Sequence, residues 1–93
     1  MRKQELYQEA LILWGEDVQV AIAIEEMAEL IQALIKLERD RRDANDDKVR
    51  EEIADVEIMM EQLRILFGPK RIDEIKAHKL RRLQRRIKSG GGK

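Results

Sequence analysis

Residues 21–30 read AIAIEEMAEL. Apolar positions recur here at helical spacing, with no strand-type alternation. Three carboxylates, Glu25, Glu26 and Glu29, sit inside this apolar run. Like charges three or four residues apart repel by about 0.2–0.5 kcal/mol per exposed pair on a helix, and burial enlarges the effect. On a helix of 3.6 residues per turn, Glu26 falls among Ile22, Leu30, Ala33 and Leu37, and Glu29 falls between Val18 and Ile22. Glu25 lies beside Gln32 and Lys36, on an ordinary wet edge. Two acids therefore interrupt the face of this helix that should pack.

Outward from this stretch, the chain reads as four helices. The first spans about Lys3 to Trp14, with Leu6, Ala10, Leu11, Leu13 and Trp14 on its apolar side, and Gly15 stops it. Glu16 or Asp17 is expected to cap the second helix, from about Val18 to Arg39, and to complement its positive N-terminus. RDRRDANDDK (39–48) is expected as the connection, with frayed helix on either side. Asp46 and Asp47 open the third helix, which runs to about Leu66. In FGPK (67–70), glycine suits the position after a helix end and proline the first turn of the next helix. The fourth helix then runs from about Pro69 to Ile87. SGGGK (89–93) reads as a flexible tail, leaving 1–88 as a single domain without an internal repeat.

Composition agrees with an all-α class. The 93 residues are 43% hydrophobic, 41% charged and only 3% aromatic, which suits charge-rich helices around a small core. With no cysteine, disulfides and thiolate zinc sites are excluded. No apolar run approaches the roughly 18 residues of a membrane span, and the N-terminus lacks a signal-type apolar segment. The expectation is a soluble cytoplasmic protein that does not engage membranes. Net charge is zero, but unevenly distributed. From Pro69 onward ten Lys and Arg face only Asp73 and Glu74, so the last helix is basic and the body acidic. The two parts could attract each other, or jointly hold an anion and its metal.

The third helix repeats the anomaly of the second. Glu52 and Asp55 fall on the side shared by Val56, Met59, Leu63 and Leu66, again as an i,i+3 acidic pair. A single such pair is usually a solvated face, but two pairs on apolar faces are harder to dismiss. Buried carboxylates must be neutralised, paired or bound to a cation. Four of them cannot neutralise one another, and hard divalent cations take carboxylate oxygens. Magnesium suits best, since it combines a few carboxylates with waters and substrate phosphates. Di-iron bundles use Glu-x-x-His pairs, and the sole histidine, His78, lies on another helix.

EEMAE (25–29) followed by EIAD (52–55) resembles the EExxE…ExxD signature of the all-α, MazG-like nucleoside triphosphate pyrophosphohydrolases. WGEDVQVAIAIEEMAELIQALIK, VREEIADVEIMMEQL and HKLRRLQRRI are similar to small phage and bacterial members, so the likeness covers roughly residues 8–87. The resemblance implies a four-helix, oligomeric bundle, a homodimer or a tetramer of two dimers. It implies hydrolysis of a (deoxy)nucleoside triphosphate to monophosphate and pyrophosphate with Mg2+, for which Mn2+ could substitute. Carried over position by position, Glu26, Glu29, Glu52 and Asp55 would be metal ligands. Glu25 would act beside Glu26 in catalysis, behind the metal or positioning the attacking water.

The substrate side is read from the wheel. Lys76 and Lys79 fall inside the apolar arc of Ile75, Leu80, Leu83 and Ile87, where a lysine either snorkels out or meets an anion. Arg82 borders that arc with a fork suited to phosphate. The same basic run also reads as a solvated face complementing the acids. Trp14 could stack on a base and Gln19 could read its edge; equally, Trp14 is a core or interface aromatic and Gln19 a surface residue. Two rivals remain: a non-enzymatic helical interaction module, and a catalytically inactive regulatory member of the family. Nucleic acid is disfavoured as a partner because no recognition-helix motif or exposed aromatic accompanies the basic helix.

Overall fold

The computed structural model describes residues 1–40 and 46–90. Among them four α-helices and no strands occur: α1 (Lys3–Trp14), α2 (Glu16–Arg39), α3 (Asp46–Phe67) and α4 (Pro69–Lys88). All four expected helices are present: α1 has the expected ends, α2 starts two residues earlier, and α3 and α4 each end one residue later. The correction at α2 has a physical cause. Glu16 and Asp17 lie inside the first turn, and the cap is Gly15, which makes no side-chain bond. The two acids therefore favour α2 by their charge near its positive end rather than by capping. Of the expected connection, residues 41–45 lie outside those described, as do 91–93 of the expected tail.

Single glycines make the two tight corners. Gly15 (φ +87°) ends α1 with its N–H on the Leu11 carbonyl at 2.9 Å, and its own carbonyl accepts the Gln19 N–H at 3.1 Å. Gly68 (φ +92°) does the same between α3 and α4, bonding to Arg64 and Ile72 at 3.0 and 3.2 Å. Positive φ at these values is costly for any residue with a Cβ. Pro69 follows as the first residue of α4, where its missing N–H costs nothing.

The centre of the molecule is the α2–α3 hairpin. These helices make the most extensive contact, α1 lies against both, and α4 meets α3 alone among the described residues. Tyr7, Ala23 and Met59 are the buried hydrophobic residues. Two polar links fasten the outer helices to α3. Lys3 of α1 pairs with Glu61 at 3.0 Å, and Arg64 donates to Asp73 of α4 at 2.7 Å.

This core is thin, and much apolar surface is uncovered. On α2, Ile24, Ile31 and Ile35 are all more than half exposed. Their i, i+7, i+11 spacing forms one exposed stripe, roughly 100° around the helix from the buried Ala23. On α4, Ile75, Leu80, Leu83 and Ile87 are exposed, so the apolar arc read from the sequence is left largely uncovered among the described residues. The accessible surface is 7725 Å², against about 5,600 Å² for a compact monomer of 11.0 kDa. The radius of gyration, 16.7 Å, likewise exceeds the roughly 12 Å expected at this length. No helix among the described residues is long and apolar enough to cross a membrane.

Candidate metal centre

The acidic pairs of α2 and α3 meet across the hairpin. Carboxylate oxygens of Glu26, Glu52 and Asp55 all lie within 4.8 Å of one another. That spacing lets one ion of about 2 Å ligand distance touch all three. The three side chains sit at different depths. Glu52 is buried at 2% exposure, Glu26 is half-buried and Asp55 is exposed. The sequence placed both Glu52 and Asp55 on the packed side; that holds for Glu52, while Asp55 closes the group from the solvent side.

Crowded like charges and burial act together on Glu26. Its carboxyl is pushed above the ordinary value of 4.5, first by burial, then by the charges of Asp55 and Glu29 and by hydrogen bonding with Asp55. Glu26 Oε2 and Glu52 Oε2 are buried without a hydrogen-bond partner among the described residues. Buried oxygens of this kind ordinarily find a donor or a cation. The donor set is all-oxygen and anionic, as magnesium or manganese prefers.

Glu29 stands one turn away from this group. It lines an open cleft of about 390 Å³ with Gln32, Ala33, Lys36, Lys48 and Glu52. Glu29 is therefore at the mouth of the centre rather than among the three convergent oxygens. Glu25 is exposed, as its wheel position predicted. Lys48, one turn before Glu52 on α3, places its Nζ 2.8 Å from Glu52 Oε1. That hydrogen bond chiefly, and the charge of Glu52 next, raise the lysine's pKa.

The predicted substrate residues do not gather at this cleft within one chain. Lys76 instead lines an apolar groove between α3 and α4, with Met60, Leu63, Arg64, Phe67 and Ile72. Lys79 and Arg82 are exposed on α4, which has no close backbone contact with α2. Trp14 is 57% exposed at the end of α1. Gln19 is buried rather than on the surface, with Nε2 unpartnered. The sequence reading missed three residues. Lys36 and Lys48 bring positive charge to the cleft, and Gln62 is buried on α3 with Oε1 unpartnered. A usable signal for Lys48 was its i,i+4 spacing to Glu52, which puts the two on one helix face.

Compared with known proteins, the chain matches no family model, no curated protein and no solved structure.

Proposed function

We propose that the chain is a metal-dependent nucleoside triphosphate pyrophosphohydrolase of the MazG-like kind, working as a homodimer or tetramer. The observation that carries it is the convergence of Glu26, Glu52 and Asp55, two of them with a buried, unpartnered oxygen. The likeness of EEMAE (25–29) and EIAD (52–55) to the family signature adds the substrate class.

Glu26, Glu52 and Asp55 would hold a magnesium ion, with Glu29 one turn away to engage a second ion or an ordered water. The metal supplies charge compensation on the phosphates and a more acidic bound water. Glu25 and Glu26 would position the water and accept its proton. No serine–histidine or cysteine nucleophile is needed.

Assembly completes the proposal. The surface excess of about 2,100 Å² exceeds the roughly 800 Å² per partner of a standard interface. The isoleucine stripe of α2 and the apolar arc of α4 are the surfaces we assign to further copies of the chain. Since α4 lies away from α2 within one chain, Lys79 and Arg82 would serve a carboxylate centre by being presented from a neighbouring copy. The direct test is a panel of nucleoside and deoxynucleoside triphosphates incubated with Mg2+. Release of pyrophosphate with the monophosphate from at least one member supports the proposal, and no turnover of any member refutes it.

A further inference from the structure

The cleft beside the carboxylates contains positive charge that the metal reading does not use. Its lining holds both signs: Glu29 and Glu52, with Lys36 from α2 and Lys48 from α3. A site meant only for a cation gains nothing from lysines in its wall, because they repel the incoming ion. A site meant for a metal–polyphosphate complex needs both signs, carboxylates for the metal and ammonium groups for the phosphate oxygens.

Lys48 is the informative residue. Its side chain is 59% exposed, whereas the Glu52 side chain it contacts is 3% exposed. One end of the pair is anchored in the hairpin, and the other is a flexible stem reaching in from solvent. The pair also uses only Oε1, leaving Oε2 buried without a partner. The lysine thus compensates Glu52 incompletely, and a divalent ion bridging Glu26, Glu52 and Asp55 would compensate it better. Once displaced, the ammonium group stays tethered one helical turn from the carboxylate, at the wall of a cleft of about 390 Å³.

We infer that Lys48 is a tethered counter-ion that changes partner. It neutralises Glu52 in the free protein, and with Lys36 it holds the phosphate chain of the substrate when a divalent cation takes Glu52. This inference rests on the metal-dependent reading above and extends it by placing phosphate-binding cations within the same chain as the carboxylates. It makes Lys48 a competitor of the metal and an ally of the polyphosphate, so its removal moves the two affinities in opposite directions. A lysine that acted only through its charge in the wall would move Mn2+ affinity no more than Lys36 does.

The experiment is calorimetric titration of the whole protein with Mn2+ alone, and then with inorganic tripolyphosphate at saturating Mn2+. Lys48 is largely exposed near the start of α3, so Lys48→Met is expected to keep the fold, checked by circular dichroism. Lys48→Met should bind Mn2+ at least about fivefold more tightly and tripolyphosphate at least about fivefold more weakly, the lower end of ordinary site coupling. Lys48→Arg should recover tripolyphosphate binding. Lys36→Met should weaken tripolyphosphate binding and tighten Mn2+ binding by clearly less than Lys48→Met does, since Lys36 repels the ion without competing for Glu52. If Mn2+ binds the wild type but Lys48→Met fails to show both changes, the exchange is wrong and the metal centre stands. If wild-type protein binds no Mn2+ with or without tripolyphosphate, the metal reading is wrong and the exchange falls with it.

Discussion

Glu26 is the residue at which burial and charge collide. Its folded-state pKa is raised, so the stability linked to it is fully present below the ordinary carboxylate value of 4.5 and is lost as pH rises through the folded value. At neutral pH without metal, the ionised carboxylate works against the fold. Glu26→Gln should therefore melt higher than wild type in EDTA at pH 7. The gap should close as pH falls below about 4.5, and the variant should lose Mn2+ binding. Thermal melts across pH, paired with calorimetry, check both halves; an unchanged melting temperature at pH 7 would contradict the strain. The same logic explains what was legible in the sequence. Helical periodicity marked Glu26 and Glu52 as acids on apolar faces because it reports the direction in which a side chain leaves its helix. It could not report depth, and so it did not separate Glu52, sealed in the hairpin, from Asp55, open to solvent.

Among the elements, the hairpin of α2 and α3 builds the centre, while α1 and α4 are held to it by a few polar links and glycine corners. Glu61 receives the Lys3 ammonium, which chiefly holds its carboxyl below the ordinary range, with Tyr7 assisting. Tyr7 is buried at 6% exposure, and burial is the main cause of its own raised pKa. A lowered carboxyl pKa contributes stability above the ordinary range and loses it as pH falls through the folded value. Acid melts of Glu61→Gln should show a shallower decline below pH of about 4.5 than wild type, starting from a lower melting temperature at pH 7. The α3–α4 corner invites a different test. At Gly68 an added Cβ would touch nothing within 4 Å, so any cost of Gly68→Ala is conformational. It should destabilise by about 1–2 kcal/mol, the cost of a left-handed backbone for an L-residue, measured as a lower urea midpoint at constant slope. This corner was readable in FGPK, because glycine and proline act locally. The path of α4 after the corner was not, since much of its apolar arc stays exposed among the described residues and periodicity alone names no partner.

For the whole molecule, exposed surface is the dominant fact. Ile24, Ile31 and Ile35 form an exposed stripe on α2, so that helix carries apolar side chains beyond the face it turns into the hairpin. Sedimentation equilibrium at micromolar concentration should give a dimer or tetramer, and Ile31→Glu should shift it toward monomer by placing a charge in the stripe. A wild-type monomer would contradict the assembly. The family resemblance suggested this association, and the helical wheel suggested that Lys79 and Arg82 would share the site. Distances between helices are not encoded in wheel positions, and so the lysines that do line the cleft, Lys36 and Lys48, were passed over.

The central claim is that water attacks the α-phosphorus of a nucleoside triphosphate held at the Glu26–Glu52–Asp55 centre. Turnover of an active triphosphate with Mg2+ in ¹⁸O-labelled water, followed by mass spectrometry of both products, tests it most directly. The label should appear in the monophosphate, with unlabelled pyrophosphate as the other product. Label in the pyrophosphate would place the attack on the β-phosphorus, and orthophosphate as the first product would mean cleavage of the terminal bond; either result contradicts the mechanism proposed for this centre.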